Sequence, residues 1–258
     1  MARRVKYDCE GSVGVITLDD EPLNLFTLEL TNELIAALEE AEGDMIRALL
    51  IRARGKVFTG GVDVHVFDDK TPEQAQAFFD DLLKITHKLE QLPLPVIASV
   101  HGLCLTAGFE MALACDLIWA GESARFGLVE RVVGLTPAMG GTQRLVDRAG
   151  PARARELVMT GDLYDAATLE RWNVVNRVLP DDALAEESLK FAQSLAQGPT
   201  KAHAATKKMV QAALEHGAHG ADERVKDIAS PLFATSDLKN AVKTFLAEGP
   251  GKAKFQGR

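Results

Sequence analysis

Cysteine is scarce in this 258-residue chain: Cys9, Cys104 and Cys115 are its three, an odd count with no spacing pattern. That excludes a disulfide framework and a zinc site built from Cys and His. Each cysteine is expected to be a small buried hydrophobe, no metal is expected, and the reducing cytoplasm is the expected location. Long apolar runs are missing too. None reaches the roughly 18 residues that span a bilayer, so no membrane is expected as a partner. The opening Met-Ala-Arg-Arg-Val-Lys-Tyr is basic but has no apolar stretch behind it, which excludes a signal peptide. Positive charge is in deficit, with 29 Lys and Arg against 37 Asp and Glu, a net −8. A net acidic surface speaks against nucleic acid as a partner. An anionic ligand then needs positive charge gathered locally. The pattern shows no internal repeat and no low-complexity tract.

What is present is enough for a full core: 47% of the residues are hydrophobic and 26% charged, ordinary values for a globular protein. Val5–Asp8 and Val13–Leu18 flank Glu10-Gly11-Ser12 as a hairpin does. Leu30, Leu34, Ile35 and Leu38 fall on one face of a helix from about Thr27 to Glu42. Strands are expected at 48–53, 96–100 and 116–120. A long amphipathic helix is expected from Pro72 to Leu92, and a short buried one from Ala107 to Cys115. This alternation predicts an α/β fold with crossover connections. Beyond Pro137 the pattern turns helical, at 141–145, 152–160, 166–172, 184–196, 200–216 and 238–247, with one strand at 174–178. The expected division is a core over 1–196 and a helical region over 197–258.

Two carboxylates stand where carboxylates are costly. Glu110 lies inside Ala-Gly-Phe-Glu-Met-Ala-Leu-Ala-Cys, and burying it requires pairing, hydrogen bonding or protonation. It is either a functional group or a Glu favoured by the positive end of a helix. Glu130, in Phe-Gly-Leu-Val-Glu-Arg, is either a second functional carboxylate or the partner of Arg131. Two such groups at one site can hold a water, one taking its proton while the other donates to carbon. Gly60-Gly61 and Ala107-Gly108 are either plain turns or places where backbone N–H groups approach a ligand. Two converging N–H groups, one at a helix N-terminus, make an oxyanion hole.

In order along the chain, these segments resemble one family, the crotonase or enoyl-CoA hydratase/isomerase superfamily. The resemblance is carried by Glu21-Pro-Leu-Asn24, Ala53-Arg-Gly-Lys-Val-Phe-Thr-Gly-Gly-Val-Asp63, Leu94-Pro-Val-Ile-Ala-Ser-Val-His-Gly102, Glu110-Met-Ala-Leu-Ala-Cys-Asp116, Phe126-Gly-Leu-Val-Glu130 and Gly140-Gly-Thr-Gln-Arg-Leu145. It implies a spiral of ββα turns, with C-terminal helices that cover the site and make a homotrimer or a dimer of trimers. It implies an acyl-CoA substrate and no separate cofactor, coenzyme A being part of the substrate. Glu110 and Glu130 are the implied catalytic pair, Glu110 activating water and Glu130 delivering a proton to Cα. The N–H groups of Val62 and Ala107 are the implied oxyanion hole. Gly60, Asp63, Val64, His65 and Gly108 are the implied substrate-binding residues. Arg54, Lys56 and Lys252 are candidates for the coenzyme's phosphates. Phe109, Val129, Val133 and Leu135 are the expected walls of the acyl pocket.

The sequence departs from the family where a run of glycines is usual. It has Thr106-Ala107-Gly108 there, and Val62 where a small residue is common. These changes bear on substrate range more than on mechanism. The implied activity is hydration of a 2-enoyl-CoA, which needs both glutamates. A Δ3,Δ2-enoyl-CoA isomerase needs only one base, and Glu110 favours the hydratase. A non-catalytic acyl-CoA-binding member of the same fold is a third reading, against which the two glutamates speak.

Overall fold

The computed structural model describes residues 3–258; the first two residues of the N-terminal stretch lie outside it. Strands β1 (Val5–Glu10) and β2 (Val13–Leu18) pair antiparallel across Gly11, whose φ of +67° suits a residue without a Cβ. Every residue of β2 is buried, because Ile16 and Leu18 join the core of Leu30 and Leu34 on one face of the strand while Val13 and Val15 join Ala192 and Ala196 on the other. Helix α1 (Leu28–Gly43) buries Leu30, Leu34 and Leu38, and the Thr27 side chain accepts the Leu30 N–H at its start. Such a cap contributes about 1 kcal/mol.

Strands β3 (Ala48–Ala53), β4 (Val96–Val100), β6 (Leu117–Gly121) and β9 (Arg177–Leu179) continue the sheet in parallel, in the order β1-β2-β3-β4-β6-β9. Parallel strands buried on both faces are near-continuous apolar runs, which is why 48–53 and 96–100 are legible in the sequence. A second sheet holds β5 (Leu103–Leu105), β7 (Arg125–Gly127) and the two-residue β8 (Tyr164–Asp165).

The chain alternates between the sheets. It runs through β4 and β5 into helix α3 (Ala107–Ala114), then through β6 and β7 towards helix α4 (Gly141–Thr160). One turn earlier β3 leads to Thr59, which bridges to Cys104 of β5, and then to helix α2 (Pro72–Gln91). These are the ββα turns of the implied spiral. The sequence shows no repeat because the second strand of each turn has only three residues, too few for a period-two pattern.

Two local expectations are corrected, and one is borne out. The strand expected at 174–178 starts at Arg177, since the N–H groups of Val174 and Val175 both donate to the Leu169 carbonyl and close the end of helix α5 (Ala166–Arg171). Their apolar character serves a buried helix end. The stretch from 141 to 160 divides at Gly150, where φ is +80° ahead of Pro151, into the two helical pieces expected there. Cys9 is exposed, whereas Cys104 and Cys115 are buried; β1 is an edge strand, and its outer face meets solvent.

Helix α6 (Asp181–Ala196) lies across the large sheet, and Trp119 of β6 stacks on its Phe191 with centroids 4.4 Å apart. Helices α7 (Thr200–Asp222, bent at Gly217), α8 (Val225–Ala229) and α9 (Ser236–Glu248) follow. Arg47 ties this region to the core by donating to the Gly198 carbonyl at 2.6 Å, the Phe255 carbonyl at 3.0 Å and Thr200 Oγ1 at 2.9 Å. Among the described residues no helix is long and apolar enough to cross a membrane.

Candidate active site

Helix α3 is buried along its whole length, and Glu110 sits in its first turn with 2% of its surface exposed. The side chain leaves its own helix and reaches the start of α4. There Glu110 Oε2 accepts the Met139 N–H at 2.9 Å and the Gly141 N–H at 2.7 Å. The N-terminus of a helix favours negative charge, so the macrodipole does act on Glu110, but it is that of α4. Gly141 is where the two helices touch. A Cβ there would come within 2.6 Å of Glu110 Cγ. Gly140 takes the left-handed turn, φ +90°, that aims the next N–H groups at the carboxylate. Arg144 braces this elbow by donating to the Gly140 carbonyl at 3.1 Å and to both Glu90 oxygens of α2, at 2.7 and 2.6 Å.

Glu130 follows β7 and opens a single 3-10 turn, Glu130–Val133. It is 9% exposed. The expected alternative partner, Arg131, donates instead to the Thr160 carbonyl. Among the described residues Glu130 Oε2 is buried with no hydrogen-bond partner. An ionised oxygen left that way costs on the order of 1–3 kcal/mol or more. Protonation, or a polar ligand, removes the cost.

Burial raises both carboxyl pKa values. Glu110 is pushed up to about 7 by desolvation, against the lowering effect of the Gly141 and Met139 N–H groups and of Arg144. Glu130 is pushed up to about 8 by desolvation and by the negative charge of Glu110. The charge of Glu110 acts on the titration of Glu130, so the two titrate as a coupled unit. Near neutral pH the favoured single-proton form puts the charge on Glu110, where N–H donors await it, and the proton on Glu130. That form holds one carboxylate and one carboxylic acid, the pairing that unlike environments create.

Opposite the N-terminus of α3 lies the 59–65 loop. Asn24, buried and in left-handed conformation (φ 48°), holds it. Its Nδ2 donates to the Arg54 and Val57 carbonyls, both at 3.0 Å, and its carbonyl accepts the Thr59 hydroxyl at 2.8 Å. Gly60 donates its N–H to the Leu23 carbonyl at 2.7 Å, and Val62 bridges to Phe26. Gly108 packs so closely on Thr59 that a Cβ would lie 1.8 Å from its Cγ2. Loop and helix thus meet with Val62 facing the turn at Thr106-Ala107. The Val62 N–H donates to Thr106 Oγ1 at 2.9 Å. Ala107 is the first residue of α3, so its N–H has no acceptor inside the helix. Val64 is exposed, and His65, 87% exposed at its side chain, lies 2.6 Å from Asp63 Oδ1. Asp63 raises the imidazole pKa, favouring its charged form.

The expected acyl-pocket residues separate. Phe109 is wholly buried against Phe126, ring centroids 5.1 Å apart, and belongs to the core beneath the site. Val133 is exposed, and Val129 and Leu135 are half-buried. Of the candidate phosphate contacts, Arg54 lies 3.8 Å from Asp19, while Lys56 and Lys252 are exposed. A separate cavity of about 510 Å³ under α7 is lined by Cys115, Asp116, Arg148 and Lys207 and contains neither glutamate. Its charges are spent on structure: Lys207 pairs with Asp116 at 2.9 Å and Arg148 donates to the Leu113 carbonyl at 3.2 Å.

Reading the sequence alone missed Asn24 as the anchor of the loop, Arg144 as the brace of the elbow, and the Thr106 hydroxyl as the acceptor of the Val62 N–H. Their signals are a polar residue in a tight turn, a lone Arg one turn into a helix after Gly-Gly, and a Thr in place of a glycine.

Known proteins resemble this chain along nearly its whole length. Residues 8–258 match the family model described as enoyl-CoA hydratase/isomerase. A protein described as a probable enoyl-CoA hydratase from Rhizobium meliloti (strain 1021) is 34% identical over 253 residues, 97% of each chain. The mitochondrial enoyl-CoA hydratase of Pongo abelii is 32% identical over 248 residues, 95% of this chain and 85% of that one. The crystal structure of an enoyl-CoA hydratase from Bacillus anthracis superposes with a TM-score of 0.92 at 27% identity, over 99% of this chain and 100% of the other. This chain is an enzyme of the enoyl-CoA hydratase/isomerase family.

Proposed function

We propose that this enzyme is a hydro-lyase that adds water across the α,β double bond of a 2-enoyl-CoA thioester. The observation that carries the reading is the buried pair of Glu110 and Glu130: Glu110 Oε2 accepts two backbone N–H groups, while Glu130 Oε2 has no hydrogen-bond partner among the described residues. Glu110, as carboxylate, accepts a proton from water while the water oxygen bonds to Cβ. The π electrons move towards the thioester, and negative charge grows on its oxygen. The Ala107 N–H, with the donor that the Val62 N–H and its partner Thr106 Oγ1 supply beside it, receives that oxygen and stabilises the enolate. Glu130, as acid, gives its proton to Cα. Hydroxyl at Cβ and hydrogen at Cα account for one water. Glu110 is left protonated and Glu130 ionised, and proton exchange restores the starting pair.

Gly60, Asp63, Val64, His65 and Gly108 line the path of the coenzyme in this reading, with the exposed His65 imidazolium near the phosphates. The exposed Phe245, Leu246 and Val242 of α9 are apolar surface that a homotrimer would cover, and sedimentation of the purified protein tests that assembly.

The activity test is addition of purified protein to crotonyl-CoA and longer 2-enoyl-CoA thioesters, following loss of the conjugated-thioester absorbance. Hydration removes the absorbance. No change with short, medium or long chains overturns the reading. A 3-enoyl-CoA converted to its conjugated isomer without hydration would make the enzyme an isomerase.

A further inference from the structure

The Val62 N–H already has an acceptor. It points at Thr106 Oγ1 from 2.9 Å, and the same loop presses on that oxygen from a second side, since a Cβ on Gly61 would lie 2.3 Å from it. Thr106 is 8% exposed and stands in a conformation, φ 46° and ψ −125°, that a β-branched residue rarely adopts. Its backbone is pinned at both ends, its N–H donating to the Gly127 carbonyl and its carbonyl accepting the Glu110 N–H, each at 2.9 Å. A strained residue so firmly held invites a functional explanation. The hydroxyl supplies one. It has one proton and two acceptor lone pairs. Among the described residues it accepts from Val62 and donates to nothing. The proton is therefore free, one residue ahead of the Ala107 N–H.

We propose that the Thr106 hydroxyl, polarised by the Val62 N–H, is the second donor to the thioester oxygen beside the Ala107 N–H. This deepens the hydratase reading and rests on it for its effect on rate. Val62 then contributes through Thr106: a hydroxyl that accepts a hydrogen bond is a stronger donor in turn. As charge grows on the thioester oxygen, both bonds of the chain Val62 N–H, Thr106 O–H, oxygen tighten together. No covalent bond to Thr106 forms or breaks. The side chain that sets this enzyme apart from a glycine-lined hole is thereby part of it.

The test compares Thr106→Val, which keeps the branched shape and removes the donor, with Thr106→Ser, which keeps the donor. For Thr106→Val the expected loss in kcat is on the order of 10²–10³, the scale for one oxyanion-hole donor, with KM changed far less. Thr106→Ser should recover to within about tenfold of the parent. A parallel readout uses saturated acyl-CoA labelled with ¹³C at the thioester carbonyl. Its infrared carbonyl band should shift to lower frequency on binding to the parent and to Thr106→Ser, and shift less on Thr106→Val. A Thr106→Val enzyme with parental kcat, or with the parental carbonyl shift, overturns the proposal. Should Thr106→Val fail to fold, Thr106→Ala gives the same comparison. If the parent hydrates no 2-enoyl-CoA, the hydratase reading fails, and the carbonyl band still reports on Thr106 by itself.

Discussion

The elbow between α3 and α4 and the stretch from β7 to the 3-10 turn each carry one carboxylate into the interior, by opposite means. At the elbow two backbone N–H groups converge on Glu110 Oε2, and a glycine leaves room for them. At the turn Glu130 Oε2 is enclosed with no hydrogen-bond partner among the described residues. Desolvation acts on both; for Glu110 the Gly141 and Met139 N–H groups and Arg144 oppose it, whereas for Glu130 only its own backbone N–H does, and the charge of Glu110 adds to it. Both side chains are buried, and their unequal hydrogen bonding is what would separate a base from an acid in the proposed hydration. The proposed division of labour rests on backbone geometry, since the two side chains are chemically identical.

The largest expected effects come from removing that chemistry. Glu110→Gln and Glu130→Gln should each lower kcat by at least about 10²-fold, the scale for acid–base groups. Single-turnover hydration assays measure it, and full activity in either variant removes that residue from the mechanism. Gly141→Ala leaves both carboxylates in place and disturbs only the elbow. The new Cβ would meet Glu110 Cγ at 2.6 Å, so the carboxylate must shift off its donors. A displacement of about 1 Å costs up to roughly 10²-fold in rate. The expected fall in kcat is roughly 10- to 100-fold, and an unchanged kcat would show that the elbow does not position Glu110.

The pH dependence sharpens the comparison further. The active form has Glu110 ionised and Glu130 protonated. Activity, read as kcat/KM, should fall below the Glu110 value of about 7 and above the Glu130 value of about 8, giving a bell with its top between them. The two limbs belong to the coupled pair. A profile flat from pH 5 to 10 contradicts the assignment.

The smallest effect is on stability. Both folded-state values lie above the ordinary carboxyl value of 4.5. The folded protein therefore binds these protons more tightly than the unfolded chain does. Stability is highest below the unfolded value and declines as pH rises through about 7 to 8. Glu130→Gln cannot ionise and escapes this decline. Its stability relative to the parent should improve from pH 5 to pH 9, by on the order of 2 kcal/mol, measured by urea unfolding. A relative stability that does not vary with pH would mean that Glu130 is not desolvated.

Sequence reasoning reached the elements whose burial is written as a pattern. β3 and β4 are near-continuous apolar runs, and α1 and α2 carry an apolar stripe. The buried glutamates were legible because charge inside an apolar run needs an explanation. The three-residue strands β5 and β7 were not, since three residues cannot display alternation. Nor was the pairing of Thr106 with Val62, which are 44 residues apart and meet only because the spiral stacks one turn on the next. Val174 and Val175 misled because an apolar pair at a helix end looks like a strand.

The central claim is that the two glutamates add the elements of water to a conjugated thioester. The most direct measurement is conversion of a 2-enoyl-CoA in D2O, with the product analysed by NMR and mass spectrometry. The account predicts a 3-hydroxyacyl-CoA carrying one solvent deuteron at Cα, formed by the parent and suppressed in Glu110→Gln and Glu130→Gln. Recovery of unchanged 2-enoyl-CoA from the parent, or of a product deuterated but not hydroxylated, would contradict it.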